Sequence, residues 1–386
     1  MKLVVIGGGA AGSAAAWQAA TGREVTVVHS TAGATELMCG ALDWDAWGAP
    51  VAKQGTPEVL RFLTDLGCWN FGPALVATST GQMRWAAASD HALLNINALA
   101  GGVVAVTDLG RLGCDAQGAA NALNASSWAK QTHTRFECVP DIVPEPRAAR
   151  ANDYDFASLH DDEAAAHALG DTLAGAGGKV QGWLLPPALG VSRAVRPSLE
   201  QRVGAKVGEW MSMPGGPCGA RFQIARDHLF KARGIASLHG RVSKVQPGES
   251  GGFRIHCVDL EGNGHILETD QVILACGGLI AGGVQMGEAR SMAASEAAFS
   301  LSVGIDVPMA VGGARLTQVA SLHGFDVQQN KIAALEHVGL LANEGIVAEC
   351  SGLFAAGEVI AGAPRSALAA VESGLTAARK ALAVSE

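Results

Sequence analysis

Three glycines near the start of the chain and one acid near its end are the residues whose type and spacing best suit chemistry. In Lys2-Leu-Val-Val-Ile-Gly-Gly-Gly-Ala-Ala-Gly12, Gly7, Gly9 and Gly12 satisfy G-x-G-x-x-G between a strand and a helix. Gly7 permits the tight turn, Gly9 lets the backbone approach a pyrophosphate, and Gly12 lets helix and strand pack closely. The helix start at Ala10 and Ala11 then offers unpaired amides and a positive dipole end to phosphates. One member of the usual set is missing. The next strand, Glu24-Val-Thr-Val-Val28, runs into His29-Ser30-Thr31, where an acid would grip both ribose hydroxyls. His29 or Ser30 can offer a single hydrogen bond, so the adenosine half of a ligand is held more loosely.

The second candidate centre is Gly357-Glu358, which follows an apolar strand and precedes a helix. A carboxylate there suits the ribityl hydroxyls of a flavin, and the helix dipole favours the negative charge of a reduced ring. For a phosphorylated or carboxylated substrate, Arg84, Arg221, Arg315 and Arg365 each follow a glycine, a proline or a turn, and a guanidinium pairs oxyanions bidentately. His323, in Ser321-Leu-His-Gly324, is placed to take a hydroxyl proton, because imidazole titrates near neutrality. Cys39 suits a covalent adduct on paper but reads better as a small buried residue.

The elements that position these groups follow from apolar patterning. Leu3 to Ile6 is a strand buried on both faces, Ala10 to Ala20 a helix, and Arg23 to Val28 a second strand: one βαβ unit. A helix is expected over Thr56 to Leu66, a loop over 140–155 and a helix over 159–176. A further helix is expected from Arg221 to Ala232, with strands at 235–245, 253–260 and 265–275; the first resembles the strand that, in flavoproteins with two dinucleotide folds, contacts adenine, here near Val242. The last strand ends in Ala275-Cys-Gly-Gly278, putting Ala275, Cys276 and Gly277 beside the cofactor. A hairpin is expected around Asn343-Glu-Gly345 between strands at 338–341 and 346–348, and a terminal helix from Arg365 to Ala383. The fold class is therefore α/β, a Rossmann-like FAD-binding domain with a central parallel sheet and a β-meander, carrying an inserted α+β cap. Residues 1–72, 218–290 and 338–386 form the flavin domain, and 73–217 and 291–337 the cap.

Composition narrows the function classes. With 386 residues, 48% of them apolar and 17% charged, the chain can bury a large core. A net charge of -8 without a Lys/Arg stripe argues against nucleic acid and disfavours a flavin-dependent RNA-modifying protein. The eight cysteines contain no C-x-x-C pair, so neither a metal site nor an iron–sulfur cluster is read from spacing. No apolar run reaches the ~18 residues of a membrane span, and no leader is apparent. A cytoplasmic location is expected, with any attachment to the inner membrane made through a partner subunit.

Beyond this, the sequence resembles the B-subunit family of anaerobic glycerol-3-phosphate dehydrogenase, flavoproteins of the fumarate reductase and succinate dehydrogenase type of fold. The resemblance is carried by the glycine-rich βαβ without a terminal acid, Cys39-Gly-Ala-Leu-Asp43, Gly81-Gln-Met-Arg84, Leu274-Ala-Cys-Gly-Gly-Leu-Ile-Ala-Gly-Gly283 and Gly352-Leu-Phe-Ala-Ala-Gly-Glu-Val-Ile360. Ala363-Pro-Arg-Ser-Ala367 lacks the family's glycine-rich ending. The resemblance implies oxidation of glycerol 3-phosphate to dihydroxyacetone phosphate, with electrons passing to quinone through a catalytic A and an iron–sulfur C subunit. It places Asp43 close to the flavin; Gly40, Ala41 and Ser366 are expected with the cofactor, and Arg84, His323 and Arg365 join Asp43 at the reacting end. FAD is the expected cofactor and FMN the alternative. A flavin-binding electron-transfer or scaffold subunit, or an oxidoreductase with another substrate, remains the alternative function.

Overall fold

The computed structural model describes residues 1–44, 53–176, 178–249, 251–286, 299–311, 314–315 and 338–384. The opening unit is β1 (Lys2–Ile6), α1 (Ala10–Ala19) and β2 (Glu24–His29), with β1 and β2 parallel from Lys2↔Glu24 to Ile6↔Val28. Next come β3 (Ala41–Leu42), α2 (Pro57–Leu66), β4 (Trp69–Ala77) and β5 (Met83–Asp90), the strands forming an antiparallel sheet in the order β3-β5-β4. Helix α2 forms where expected because Thr56 caps it, Pro57 opens it, and Gly67 closes it in the left-handed region. It buries Val59, Phe62, Leu63 and Leu66, one apolar stripe.

A second α/β layer follows: β6 (Val103–Val106), α3 (Ala116–Ala125), α4 (Ser127–Thr132), β7 (Arg135–Cys138), α5 (Asp153–Leu159), α6 (Glu163–Ala176), β8 (Gly182–Leu185), α7 (Arg196–Val203) and β9 (Lys206–Glu209). Its four strands are all parallel, in the order β7-β6-β8-β9. The helix expected over 159–176 starts later, at Glu163, and a separate helix, α5, begins at Asp153 inside the loop expected over 140–155. The Asp162 carboxylate accepts from the Ala165 amide and starts α6 afresh.

Helix α8 (Pro217–Arg233) returns the chain to the first sheet and opens four residues before Arg221, with Pro217 in its first turn. The meander β10 (Ala236–Pro247), β11 (Phe253–Asp259) and β12 (Gly264–Thr269) is antiparallel, and β13 (Gln271–Leu274) is parallel to β1. The strand expected over 265–275 is thus divided. Asp270 makes the break, its carboxylate accepting from the Lys2 amide while its own amide donates to the Lys2 carbonyl.

Short strands complete the chain: β14 (Val284–Met286) with β15 (Phe299–Leu301), then β16 (Met309–Val311) between β17 (Ala314–Arg315) and β18 (Val338–Leu340). The hairpin β19 (Ala342–Asn343) and β20 (Ile346–Val347) turns at Glu344 and Gly345, whose φ values of 48° and 81° suit a type I′ turn. Residues 338–340, expected as one arm of that hairpin, pair instead with β16. Last are β21 (Leu353–Ala355) and α9 (Ala367–Ala383).

The nine-stranded sheet runs β12-β11-β10-β2-β1-β13-β21-β20-β19. Its five parallel strands, numbered in chain order, lie 3-2-1-4-5, the doubly wound dinucleotide-binding order. The fold is Rossmann-like, with a meander and an inserted α/β unit. Side chains of β1, β2, β13 and β21 are buried on both faces, one packing against the meander and the other against α1 and α9.

Candidate functional site

One cleft lies at the carboxyl ends of the parallel strands, where the strand order reverses between β1 and β13. It is lined by Gly7 to Ala11, His29 to Thr35, Gly240 to Val242, Ala275 to Gly277 and Ala356 to Glu358. The loop after β1 is shaped as its glycines imply. Gly7 has a φ of 122°, and a Cβ there would stand 2.1 Å from the Ala275 carbonyl oxygen. A Cβ on Gly12 would stand 1.9 Å from the Gly7 oxygen. Gly12 therefore acts in packing, behind the cleft wall. Gly9 is the helix N-cap, and a Cβ there would meet the Ala32 oxygen at 3.0 Å and the Thr35 hydroxyl at 3.1 Å.

Thr35 is a residue the sequence reading missed. Its hydroxyl accepts from the Ala10 amide at 3.1 Å, so the segment after β2 closes over the start of α1. The one available signal was a hydroxyl-bearing run, Ser30-Thr31 to Thr35, in place of the acid.

Glu358 reaches the same cleft from the other end of the chain. Helices α1 and α9 cross so tightly that a Cβ on Gly374 would lie 2.1 Å from the Ala11 oxygen, and this seats Gly357 beside Ala11. Glu358 is half-buried, and its Oε2 is buried without a hydrogen-bond partner among the described residues. Burial raises its carboxyl above the ordinary range, against the nearby Arg365 guanidinium. A lone buried oxygen of this kind calls for a donor, and the hydroxyls of a ligand would supply one.

At the opposite end of the cleft, His29 is almost wholly buried beneath Gly8. Its Nε2 is 2.9 Å from the Ser237 hydroxyl, its ring meets His239 edge-on at 4.5 Å, and its Nδ1 has no partner among the described residues. Burial, then the charges of Arg226 and His239, lower its pKa to about 4, so it is neutral at pH 7; Asp227 opposes them. Arg226 is itself buried and donates to the Gly8 carbonyl at 2.9 Å.

The cleft thus gathers Gly7, Gly9, Ala10, Ala11, His29, Ser30, Val242, Ala275, Cys276, Gly277, Gly357 and Glu358. Other expected residues lie elsewhere. Gly40 and Ala41 join the edge of the antiparallel sheet, where the Gly40 carbonyl accepts from the Asp90 amide. Ser366 caps α9 and donates to the Trp44 carbonyl. Asp43 and Arg84 are tied to each other, both guanidinium nitrogens donating to Asp43 Oδ2 at 2.8 and 2.9 Å. The Asp43 carbonyl also accepts from the Leu368 amide, so the pair sits against the start of α9. Cys39 contacts the Met211 sulfur at 3.7 Å. Arg221 lies outside this cleft: it is buried, donating to Glu209, Asp90 and the Gly190 carbonyl. His323 lies outside the described residues, as does the side chain of Arg315.

Among the described residues no group of His, Cys, Asp and Glu could hold a metal ion, and no helix is long and apolar enough to cross a membrane. Neither a protein-family model nor a curated protein matches the sequence. Solved structures with some likeness include a flavoprotein/dehydrogenase from Cytophaga hutchinsonii, 9% identical with a TM-score of 0.36, over 99% of this chain and 78% of that one. Another is 3-ketosteroid-Δ4-(5α)-dehydrogenase from Rhodococcus jostii RHA1, 14% identical with a TM-score of 0.34, over 98% and 95%. Likenesses this faint carry no argument, and the fold assignment rests on the strand order.

Proposed function

We propose that the chain is an FAD-binding oxidoreductase subunit, and that its relatives are the B subunits of anaerobic glycerol-3-phosphate dehydrogenase. The observation that carries the reading is the meeting of two distant signatures in one cleft: the phosphate-type loop at Gly7 to Ala11 and the Glu358 carboxylate, whose Oε2 is buried with no hydrogen-bond partner among the described residues. FAD, when bound, supplies a two-electron acceptor. The chain's own residues divide the work of holding it. The loop after β1 and the Thr35 hydroxyl serve the phosphates, Glu358 the ribityl hydroxyls, and the main chain at Val242 the adenine. Arg365, close enough to Glu358 to act on its charge, belongs to the substrate side.

The substrate class proposed is a phosphorylated secondary alcohol, glycerol 3-phosphate, with electrons leaving to quinone through partner subunits. An absorbance scan and the mass of the heat-released cofactor test the flavin; a colourless protein with affinity for NAD would overturn it. Anaerobic addition of glycerol 3-phosphate should bleach the visible flavin band. A second reading, a flavin holder without substrate turnover, is favoured by the mutual engagement of Asp43 and Arg84, and persistent yellow colour would select it.

A further inference from the structure

The nine-stranded sheet ends in two unlike edges. At one end β19 is two residues long; at the other, β12 runs for six residues in unbroken register with β11. A strand of that length leaves a row of backbone amides and carbonyls open on its outer side. Proteins ordinarily blunt such a row with proline, lysine, a bulge or a covering strand or loop. β12, Gly264-His-Ile-Leu-Glu-Thr269, has no proline, no lysine and no bulge, and no described strand pairs with its outer side. Its central side chain, Ile266, is 60% exposed, and Leu260, in the turn that leads into it, is 72% exposed. The charged groups of the strand are engaged within the chain. Glu268 accepts from Arg254 at 2.9 Å, and the His265 Nε2 lies 2.8 Å from the Asp259 carboxylate.

We propose that β12 pairs antiparallel with β12 of a second copy of this chain, joining the two large sheets edge to edge about a two-fold axis at Ile266. Such an axis stands normal to the sheet, so the side chains that meet across it belong to the same face in both copies. That restricts the pairing to a few registers. Centred on Ile266, the two isoleucines meet, Glu268 faces the partner's Gly264, where no side chain competes, and His265 faces the partner's Leu267. Centred one residue later, each Ile266 would face the partner's Glu268; centred one residue earlier, the two His265 rings would oppose each other. Only the first register sets apolar on apolar and leaves the carboxylate opposite a glycine. One strand pair buries less than the roughly 800 Å² per partner of a standard stable interface, so the dimer should dissociate on dilution through the micromolar range. β11 stands between β12 and β10, the strand that borders the cleft, and the inference holds whichever cofactor the cleft takes.

Sedimentation of the full chain from low to high micromolar concentration tests the idea. A species of twice the chain mass should form and be lost on dilution. Ile266→Lys, at an exposed position, should leave the melting temperature and the cofactor content unchanged and hold the protein as a monomer at every concentration. Ile346→Lys, an exposed substitution near the opposite edge of the same sheet, should leave the dimer intact. Ile266→Cys should give, on mild oxidation, a disulfide-linked pair of chains that the parent does not form, because residues directly opposed across an antiparallel pair lie close enough for that bond. A parent that is monomeric throughout overturns the inference and leaves the edge to a strand of another protein. A dimer that survives Ile266→Lys also overturns it, since the contact then lies elsewhere.

Discussion

Two sheets in this molecule, one with a parallel core of five strands and one parallel throughout, begin alike and end differently. Each has a first strand followed by a glycine-bearing loop and a helix: β1, Gly7 to Gly9 and α1 in one; β6, Gly110 to Gly113 and α3 in the other. Each also reverses strand order beside that first strand, which is where open α/β sheets bind ligands. Both loops border a pocket, but different groups back them: in the first sheet, His29 and Arg226 stand behind Gly8, and the Thr35 hydroxyl closes over Gly9 and Ala10. In the second, Val143 packs where a Cβ on Gly110 would lie, within 2.7 Å. Arg111 is held by the Asp153 carboxylate and the Ala151 carbonyl, with its guanidinium 4.9 Å from the centre of the Phe156 ring. Helix α3 is capped by the carboxylate of Asp115, which accepts from the Gly118 amide at 2.7 Å, whereas α1 is met by the uncharged hydroxyl of Thr35. Topology alone does not make the two loops alike; what backs the loop and caps the helix sets them apart.

The largest effect expected comes from separating the two sheets. Arg221, on α8, is buried against Glu209 at the end of β9 and Asp90 at the end of β5, and it also holds the Gly190 carbonyl. Glu209 in turn accepts from the amides of Ala188 and Leu189. Arg221→Ala leaves two buried carboxylates without their cation and should cost about 3–5 kcal/mol in chemical denaturation. If the variant still folds, nucleotide affinity should be close to that of the parent, because Arg221 lies outside the cleft. A loss below 1 kcal/mol would show that the cluster does not fasten the second sheet.

Next in size is a matched pair of loop substitutions. Gly9→Val places branched carbons against the Ala32 oxygen and the Thr35 hydroxyl, in the space a phosphate would need. Nucleotide affinity should fall by on the order of 100-fold, about 2.7 kcal/mol. Gly110→Ala, in the corresponding loop of the second sheet, is strained by a φ of 71° and by Val143. It should lower the melting temperature and leave nucleotide affinity unchanged. Equal effects of the two on binding would mean that the second sheet also carries a nucleotide.

How far the sequence showed this difference depends on the range of the interactions. The Gly7 to Gly12 loop, the capped helix α2 and the Glu344-Gly345 turn are set by neighbouring residues, and all were legible. So was the pairing of the N-terminal loop with Gly357-Glu358, because each end has its own local pattern. The parallel order of β6 to β9 was not, since strands of four residues each look the same whichever way they pair. The Arg221 cluster was hidden for another reason: Asp90 lies 131 residues from Arg221, and charge compensation at that range leaves no periodic trace. The single strand expected over 265–275 failed at one residue, Asp270, whose bonds to Lys2 depend on the tertiary fold.

The neutral His29 gives a third, smaller effect, specific to the first sheet. Its pKa is lowered from 6.5 to about 4 in the folded chain. The folded state therefore resists protonation that the unfolded state accepts. Stability from this group is present above pH 6.5 and is lost as pH falls from there toward 4, by on the order of 2 kcal/mol. Denaturation between pH 7 and 4 should show His29→Gln losing less stability than the parent over that window. Parallel curves would mean that the imidazole is solvated and titrates normally.

The smallest effect bears most directly on which ligand the first sheet holds. His29→Glu restores the acid that a dinucleotide cleft ordinarily carries, and an ionised carboxylate can accept from both ribose hydroxyls where an imidazole makes one bond. FAD affinity should then rise by about tenfold, or 1.4 kcal/mol. FMN has no adenosine ribose and should bind equally to both proteins. A gain for FAD with none for FMN locates the adenosine half between β2 and β10; equal changes for the two flavins would place His29 outside the ribose contact and leave the caps of α1 and α3, a hydroxyl against a carboxylate, as the main distinction between the two sheets.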